Sequence, residues 1–171
     1  QLQWRNRHFK IMLGCCIAMI LCEITSFFIF PVNGKYEITS AKYLLSYCLF
    51  PGCSYIFFIL LTKILLLSQK ISEMAKNYIV SLGFSCSIIA LCFFHDIFVS
   101  VFATSVIALV LTPLYSNKKL TYVTAGFLFA GVVLVGIFGH WDEDTVKDFT
   151  YFVDGEALDF IDSMDVVSLF D

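Results

Sequence analysis

Residues 11–30 read IMLGCCIAMILCEITSFFIF, a stretch in which the only charged residue is Glu23. A membrane-spanning helix needs about 20 predominantly apolar residues, so this stretch predicts a transmembrane helix. Four similar stretches follow. The predicted spans are Ile11–Phe30, Tyr43–Leu67, Tyr78–Phe94, Ile97–Tyr115 and Thr121–Gly139. The expected fold class is an all-α membrane protein, with five transmembrane helices in an antiparallel bundle over residues 1–140.

The composition of the whole chain agrees with a membrane location. Of its 171 residues, 59% are hydrophobic and 15% are charged, and the mean hydropathy is +0.84. Soluble globular domains are about 45–50% apolar and roughly 25% charged. This composition excludes a soluble enzyme domain and a disordered chain, because both need fewer apolar residues. It also excludes a nucleic-acid-binding module, because no basic face is left to meet phosphates. The lipid bilayer is the expected partner.

The net charge of −3 is the sum of two unlike parts. Residues 1–140 carry ten Lys/Arg and four Asp/Glu, a balance of +6, whereas residues 141–171 carry one Lys and ten Asp/Glu, a balance of −9. Short cytoplasmic loops are enriched in Lys and Arg. With the N-terminus inside, the cytoplasmic cations would be Arg5, Arg7, Lys10, Lys70, Lys76, Lys118 and Lys119. We therefore expect a multi-pass membrane protein with its N-terminus on the cytoplasmic side.

Five crossings place the acidic residues 141–171 outside the cell, as a loop or tail. We expect this segment to lead to a sixth helix after Asp171, so that the chain is a piece of a longer protein. The expected structure of this segment is a solvated loop between two membrane helices, and the alternative is a short amphipathic helix at the outer surface, lined by apolar residues of Gly155–Phe170. Inside the second span, Pro51-Gly52 is expected to kink the helix.

Glu23 is the most informative single residue, because an ionisable group within a span usually faces the bundle interior or a wet cavity. The helical rise puts Glu23 at the depth of Ser54 and Tyr55 on the antiparallel second helix. Lys63 lies closer to the cytoplasm and is expected to snorkel inward rather than pair with Glu23. We therefore predict a polar pocket in which Ser54 or Tyr55 donates a hydrogen bond to Glu23. The alternative is a protonated or interfacial Glu23 with no role.

His95-Asp96 lies in the predicted outer turn between the third and fourth spans. As a pair these residues could sense pH, because His titrates near neutrality and an adjacent carboxylate raises its pKa. As a turn they need no function, since Asp is a good N-cap for the next helix. The possible sensing pocket thus comprises Glu23, Ser54, Tyr55, His95 and Asp96.

No residue pattern points to catalysis, a metal or a cofactor. All seven cysteines fall inside apolar stretches without C-x-x-C spacing, where Cys packs as a small hydrophobe. His95 and His140 have no companion nucleophile, so a catalytic triad is not expected. Gly126 and Ala130 form a small-x-x-x-small pair, for which packing within one chain is favoured over a dimer seam.

The run Phe93-Phe94-His95-Asp96-Ile97-Phe98 and the elbow Leu111-Thr112-Pro113-Leu114-Tyr115-Ser116-Asn117-Lys118-Lys119-Leu120-Thr121 resemble a recurrent membrane input region. This region is the N-terminal multi-helix sensor segment of bacterial diguanylate cyclases and related receptors. The resemblance implies about six helices that feed a cytoplasmic domain making cyclic di-GMP from GTP. The chain itself has no Gly-Gly-Asp/Glu-Glu-Phe motif, so no catalytic residue is carried over.

Two functions follow as expectations. The first is a non-catalytic sensory input region of a homodimeric receptor that responds to an unknown small-molecule ligand. The alternative is a transport component, such as the substrate-binding membrane subunit of an uptake transporter. Gly14, Ala18 and Cys22 form a small-residue stripe of the kind such subunits use for docking. A transporter should show polar ligands on several helices, whereas a receptor should continue into a soluble domain.

Overall fold

The computed structural model of this chain describes residues 2–29, 38–95, 103–139, 151–153 and 156–158. Within these ranges the chain is helical, apart from one short hairpin. The elements in chain order are α1 (Leu2–Ile29), α2 (Ser40–Tyr43), a π-helix (Leu44–Leu49), α3 (Phe50–Leu67), α4 (Glu73–Phe94), α5 (Ser105–Leu111), a 3₁₀ turn (Thr112–Tyr115), α6 (Lys118–Gly139), β1 (Tyr151–Val153) and β2 (Glu156–Leu158).

Among the described residues, four helical stretches are long and apolar enough to cross a membrane, as expected of a multi-pass membrane protein. They are Leu2–Phe28, Ser40–Leu67, Glu73–Phe94 and Lys118–Phe138, and they correspond to four of the five predicted spans. The remaining predicted span, Ile97–Tyr115, is described only from residue 103, and its helical part, Ser105–Tyr115, is too short to cross on its own. At the helical rise it covers about 16 Å, against roughly 30 Å of hydrocarbon.

The helices begin earlier than the apolar runs predict, because capping residues lie upstream of them. Ser72 caps α4, and its hydroxyl accepts a hydrogen bond from the amide of Ala75. Thr39 does the same for α2 by accepting from the amide of Lys42. A side-chain oxygen at this position satisfies a backbone donor that the first turn leaves open. Hydropathy alone misses these polar first turns.

Two ends of the bundle are defined by contacts between distant residues. At the end named here the Arg5 end, Arg5 pairs with Glu73, and His8 hydrogen-bonds to Tyr115. At the opposite end, named the Glu23 end, Glu23 meets Tyr55 and His95. The chain therefore returns from one end to the other between residues 95 and 115. Six of the seven cations that the sequence groups on one side lie near the starts of α1, α4 and α6, which meet at the Arg5 end, and Lys70 lies in the link between α3 and α4.

The core lies around α4, which packs against α1, α3 and α6. Its centre is formed by fully buried apolar side chains that α1, α3 and α4 contribute. These are Met12, Cys16, Tyr55, Phe84 and Cys92, with Ile88 almost as deeply buried. Most other large apolar side chains of α1, α3 and α6 are exposed, as expected of helices that face lipid.

Glycines allow α4 to approach its neighbours. A Cβ on Gly83 would collide with Thr62 of α3, and a Cβ on Gly131 would collide with Ile89. The predicted packing role of Gly126 and Ala130 is wrong within this chain. Both residues are exposed, and a Cβ on Gly126 would meet nothing. The close approach of α6 to α4 occurs instead at Gly131, on a different face of α6.

The irregularity expected at Pro51-Gly52 lies just before it. The π-helix Leu44–Leu49 runs directly into α3, and the amide of Phe50 bonds to the carbonyl of Leu45, five residues back. Proline has no N–H and crowds the preceding turn, so a widened turn before Pro51 accommodates it without ending the helix. π-Helical turns inside α-helices often occur at functional sites.

The acidic tail contains a short antiparallel hairpin in which Tyr151 pairs with Leu158 and Val153 with Glu156. The alternative of an amphipathic helix over Gly155–Phe170 is therefore wrong for Glu156–Leu158, which form strand β2. The two aromatic residues and the β-branched valine of Tyr151–Val153 favour a strand there. The rest of that helix lies outside the described residues.

Candidate functional site

The candidate site is centred on the carboxyl group of Glu23, which lies on the buried face of α1 at the Glu23 end. The residue is only 4% exposed although it lies within a candidate membrane span. Its Oε1 accepts a hydrogen bond from the Tyr55 hydroxyl, whereas its Oε2 is buried and has no hydrogen-bond partner among the described residues. Native proteins rarely leave a buried polar atom in this state. The carboxyl group of Glu23 therefore has unused capacity to accept a hydrogen bond.

Tyr55 contributes the polar contact that the depth estimate predicts. Its hydroxyl lies 3.0 Å from Glu23 Oε1, and its side chain is fully buried. Of the two predicted alternatives, Ser54 or Tyr55, it is Tyr55 that donates to Glu23, and Ser54 does not make the expected contribution to the pocket. The Ser54 hydroxyl donates to the carbonyl of Phe50 on its own helix, at 2.9 Å. Adjacent helical residues point about 100° apart, so α3 directs only one of the two side chains towards Glu23.

His95 closes the site from the end of α4. Its Nε2 lies 3.9 Å from Glu23 Oε1, and its Nδ1 lies 3.2 Å from the carbonyl oxygen of Leu91. Burial lowers the pKa of His95, although the contact with Leu91 acts in the opposite direction. The ring is therefore neutral near pH 7. Asp96, its predicted partner, lies outside the described residues.

Aromatic rings form one side of the site, and the sequence analysis did not include them. The ring of Tyr47 contacts His95 edge-on with centroids 5.9 Å apart, and Tyr43 lies 5.4 Å from Tyr47. Both tyrosines are almost completely buried. Cys48 adds a contact from its thiol to the backbone carbonyl of Glu23. The available signal was the i, i+4 spacing of Tyr43 and Tyr47, which places both on one helical face.

A second polar cluster lies at the Arg5 end and ties α1 to α4. Arg5 is 6% exposed, and its guanidinium lies 2.8 Å from Glu73 Oε2 and 3.3 Å from the Glu73 carbonyl. Lys76 reaches the other carboxylate oxygen of Glu73, also at 2.8 Å. Arg5 and Lys76 are both buried cations, and each is compensated by this one acidic group.

His8 extends this cluster to the elbow before α6. Its Nδ1 lies 3.0 Å from the Tyr115 hydroxyl, and its Nε2 is buried, with no hydrogen-bond partner in the part of the chain that the structure describes. Tyr115 immediately precedes Ser116, whose left-handed backbone, φ 52°, turns the chain into α6. The first turns of α1 therefore hold the elbow in place. Sequence reasoning used Tyr115 only as part of a motif and did not select His8.

Lys63 lies apart from Glu23, as predicted. Its Nζ lies 5.4 Å from the centre of the Phe9 ring, towards the Arg5 end. The seven cysteines all lie within helices. Among the described residues, no group of three or more His, Cys, Asp or Glu is placed to hold a metal ion.

Comparisons with known proteins do not add a relationship. No family model matches the chain, and no curated protein or solved structure is similar to it. The resemblance to the sensor segments of diguanylate cyclases is therefore carried by the sequence elbow and the His95 turn alone, and it stays a prediction. The structure thus places the buried carboxyl group of Glu23 near one end of α1, and the ion pairs that Arg5 and Lys76 form with Glu73 near the other.

Proposed function

We propose that this chain is a non-catalytic sensory region of a bacterial membrane receptor. Glu23, Tyr55, His95, Tyr43 and Tyr47, together named the Glu23 cluster, would detect the stimulus. The observation that carries the proposal is that one helix, α1, holds both buried polar clusters. Glu23 lies near the end of α1, and Arg5 and His8 lie near its start. A shift or rotation of α1 at Glu23 would be passed directly to the elbow that His8 contacts. Small helix shifts of this kind are a common way to transmit a signal.

The core between the clusters favours sensing over transport. The helical rise puts Glu23 about 22 Å from His8. Between them lie Met12, Cys16 and Phe84, all fully buried. No charged side chain is buried between the two clusters in the described part of the chain. Uncharged polar side chains are buried there, namely Thr62, Ser81, Ser85, Ser87 and Thr124. The preference for sensing therefore rests on the lack of a buried charge among the described residues, since charged groups inside spans mark substrate and ion pathways.

By the resemblance, the output of the proposed receptor is cyclic di-GMP synthesis in a cytoplasmic domain, and the receptor is a homodimer. The Arg5 end would then face the cytoplasm, because the elements that meet there carry six of the seven cations. The Glu23 cluster would face the outside and be reached from there. The acidic segment 141–171 would lie on the same outer side.

Transport is the second candidate, and one observation favours it. Gly14, Ala18 and Cys22 are all exposed on α1, so the small-residue stripe is available for docking to another membrane subunit. Glu23, Tyr55 and His95 also come from three different elements, which a substrate-binding subunit would require. The two candidates differ in whether the Glu23 cluster affects the Arg5 end.

Hydrogen exchange of the full chain in lipid nanodiscs tests that connection. We expect Glu23→Gln to change amide exchange across the elbow, residues 112–118, by roughly threefold or more. Thr25→Val is the matched control, because Thr25 is exposed on the same helix and its hydroxyl only bonds to the carbonyl of Leu21. Identical elbow exchange in all three proteins would contradict sensing through α1.

A cellular measurement tests the output. In the host, we expect Glu23→Gln in the natural gene product to alter the level of cyclic di-GMP, with Thr25→Val remaining at the wild-type level. An unchanged level after Glu23→Gln and after deletion of the gene would overturn the cyclic di-GMP output.

A further inference from the structure

Among the described residues, the carboxyl group of Glu23 accepts fewer hydrogen bonds than it can. Glu23 Oε1 receives one hydrogen bond from Tyr55, and Oε2 receives none from the described residues. A carboxylate has about four acceptor sites, so most of its capacity is unused. The burial of the residue, at 4% exposure, keeps bulk water from filling that capacity. The chemical class of a ligand for this site follows from the groups that would fill its unused acceptor capacity. The inference rests on the proposed function, in which this site detects the stimulus.

His95 adds a further acceptor. Its Nδ1 faces the carbonyl oxygen of Leu91 at 3.2 Å, and a carbonyl oxygen can only accept. Nδ1 therefore carries the proton, and in a neutral imidazole Nε2 is then an acceptor. Nε2 points its lone pair into the region of Glu23 Oε1, 3.9 Å away. Two acceptors face each other across a gap too long for a hydrogen bond.

A group that completes this arrangement must donate at least two hydrogen bonds and is favoured by a positive charge. An ammonium nitrogen makes charge-assisted bonds of about 2.8 Å, so one nitrogen can bridge two acceptors that lie 3.9 Å apart. The ring of Tyr47 lies beside His95, and the ring of Tyr43 lies beside Tyr47. Aromatic rings favour a nearby cation, and their bulk suits the apolar part of a small amine.

We propose that the Glu23 cluster is a binding site for a small primary ammonium compound. Glu23 neutralises the charge and accepts from the ammonium group, His95 Nε2 accepts a second hydrogen bond, and Tyr55 holds the carboxylate in position. The tyrosines flank the substituent. An alkali metal ion fits less well, because such ions prefer several oxygen ligands, and an imidazole nitrogen is a poor ligand for hard cations.

Methylammonium chloride is the probe for this site. Its affinity for the full chain in nanodiscs is measured by titration calorimetry and by thermal stabilisation. We expect Glu23→Gln to weaken binding at least about tenfold, because an amide keeps an acceptor but loses the charge. His95→Phe, which keeps a ring but has no acceptor, should weaken binding by a smaller factor. Ser54→Ala is the matched control and should bind as the wild type does, since Ser54 bonds only to its own helix.

Two competing cations separate the ligand classes. Tetramethylammonium carries the charge without N–H donors, and K⁺ carries it without directional donors. We expect both to bind at least about tenfold more weakly than methylammonium. Equal binding of K⁺ overturns the ammonium assignment in favour of a metal ion. Equal binding of tetramethylammonium overturns the role of the N–H donors.

A proton is the remaining way to complete the site, and infrared spectroscopy distinguishes it. If a carboxylic acid band that disappears in Glu23→Gln persists at saturating methylammonium, Glu23 is occupied by a proton and the proposal is overturned. The absence of any methylammonium binding overturns it as well. In either case a change in elbow exchange in Glu23→Gln would still support the sensory role, so the two proposals can fail separately.

Discussion

The hydroxyl of Tyr55 donates a hydrogen bond to Glu23 Oε1 at 3.0 Å, and this contact joins α3 to α1 across 32 positions of sequence. Both groups are buried, so each would lose its hydrogen bond without the other. Tyr55→Phe should therefore lower the free energy of unfolding by about 1–3 kcal/mol, the usual cost of an unsatisfied buried group. Thermal unfolding of the purified protein in detergent measures the loss.

Tyr122→Phe provides the comparison for this experiment. Tyr122 is 73% exposed on α6, so the same loss of a hydroxyl should leave the unfolding temperature unchanged. A Tyr55→Phe protein as stable as Tyr122→Phe would mean that the hydrogen bond to Glu23 contributes nothing to the bundle.

The contact between His8 and Tyr115 predicts local stability at the elbow. Tyr115→Phe removes the only hydrogen-bond partner that the described residues give the His8 ring. We expect amide exchange around Ser116 to accelerate by about tenfold, equivalent to roughly 1.4 kcal/mol of local opening. Exchange in α3, which this contact does not involve, serves as the internal reference and should not change.

Close packing between α3 and α4 predicts different outcomes for two glycines. Gly83→Ala places a methyl group against Thr62, whereas Gly126→Ala places one in open space. Overpacking in a tight contact costs about 1–3 kcal/mol, so Gly83→Ala should destabilise the protein. Gly126→Ala should be neutral or slightly stabilising, because alanine favours a helix over glycine. Equal unfolding temperatures for the two variants would contradict the close approach at Gly83.

Hydropathy predicted the helices well because it depends on segment length and composition alone. Four predicted spans match helices that are long enough to cross a membrane. Helix starts were missed where Ser72 and Thr39 add polar first turns to the apolar runs. The hairpin at Tyr151–Val153 was missed because the pairing of two short strands depends on a turn and not on periodicity.

The only part of the site that could be predicted was the part that follows from the depth of each residue along its helix. The rise per residue placed Tyr55 level with Glu23, but depth does not tell which of two neighbouring side chains faces α1, so Ser54 was selected as well. The contributions of Tyr43 and Tyr47 depend on the π-helix before Pro51. A single sequence does not show where such a turn inserts. His8 was missed because its partner, Tyr115, lies 107 positions away.

Burial of His95 predicts how stability changes with pH. The pKa of His95 is lowered in the folded protein, whereas in the unfolded chain it is about 6.5. Above that value both states are neutral. As the pH falls through about 6.5, the unfolded state takes up a proton before the folded state does, so stability is lost on acidification. We expect acidification from pH 7.5 to 5.5 to lower the unfolding temperature of the wild type relative to that of His95→Gln, because only the wild type carries this group. The same fall in both proteins would assign the effect to other groups.

The cations that meet at the Arg5 end predict the orientation of the bundle. If that end faces the cytoplasm, a cysteine that replaces Lys119 is shielded from an external reagent in intact cells. A cysteine that replaces Ser40, which precedes Tyr43 at the start of α2, is open to the outside. Both positions are exposed at helix starts. A membrane-impermeant maleimide should therefore label Ser40→Cys in intact cells and label Lys119→Cys only after the membrane is opened. Wild-type protein gives the background from the seven native cysteines. The reverse labelling pattern would place the N-terminus outside and put the Glu23 cluster on the cytoplasmic side, which would contradict detection of an external ligand.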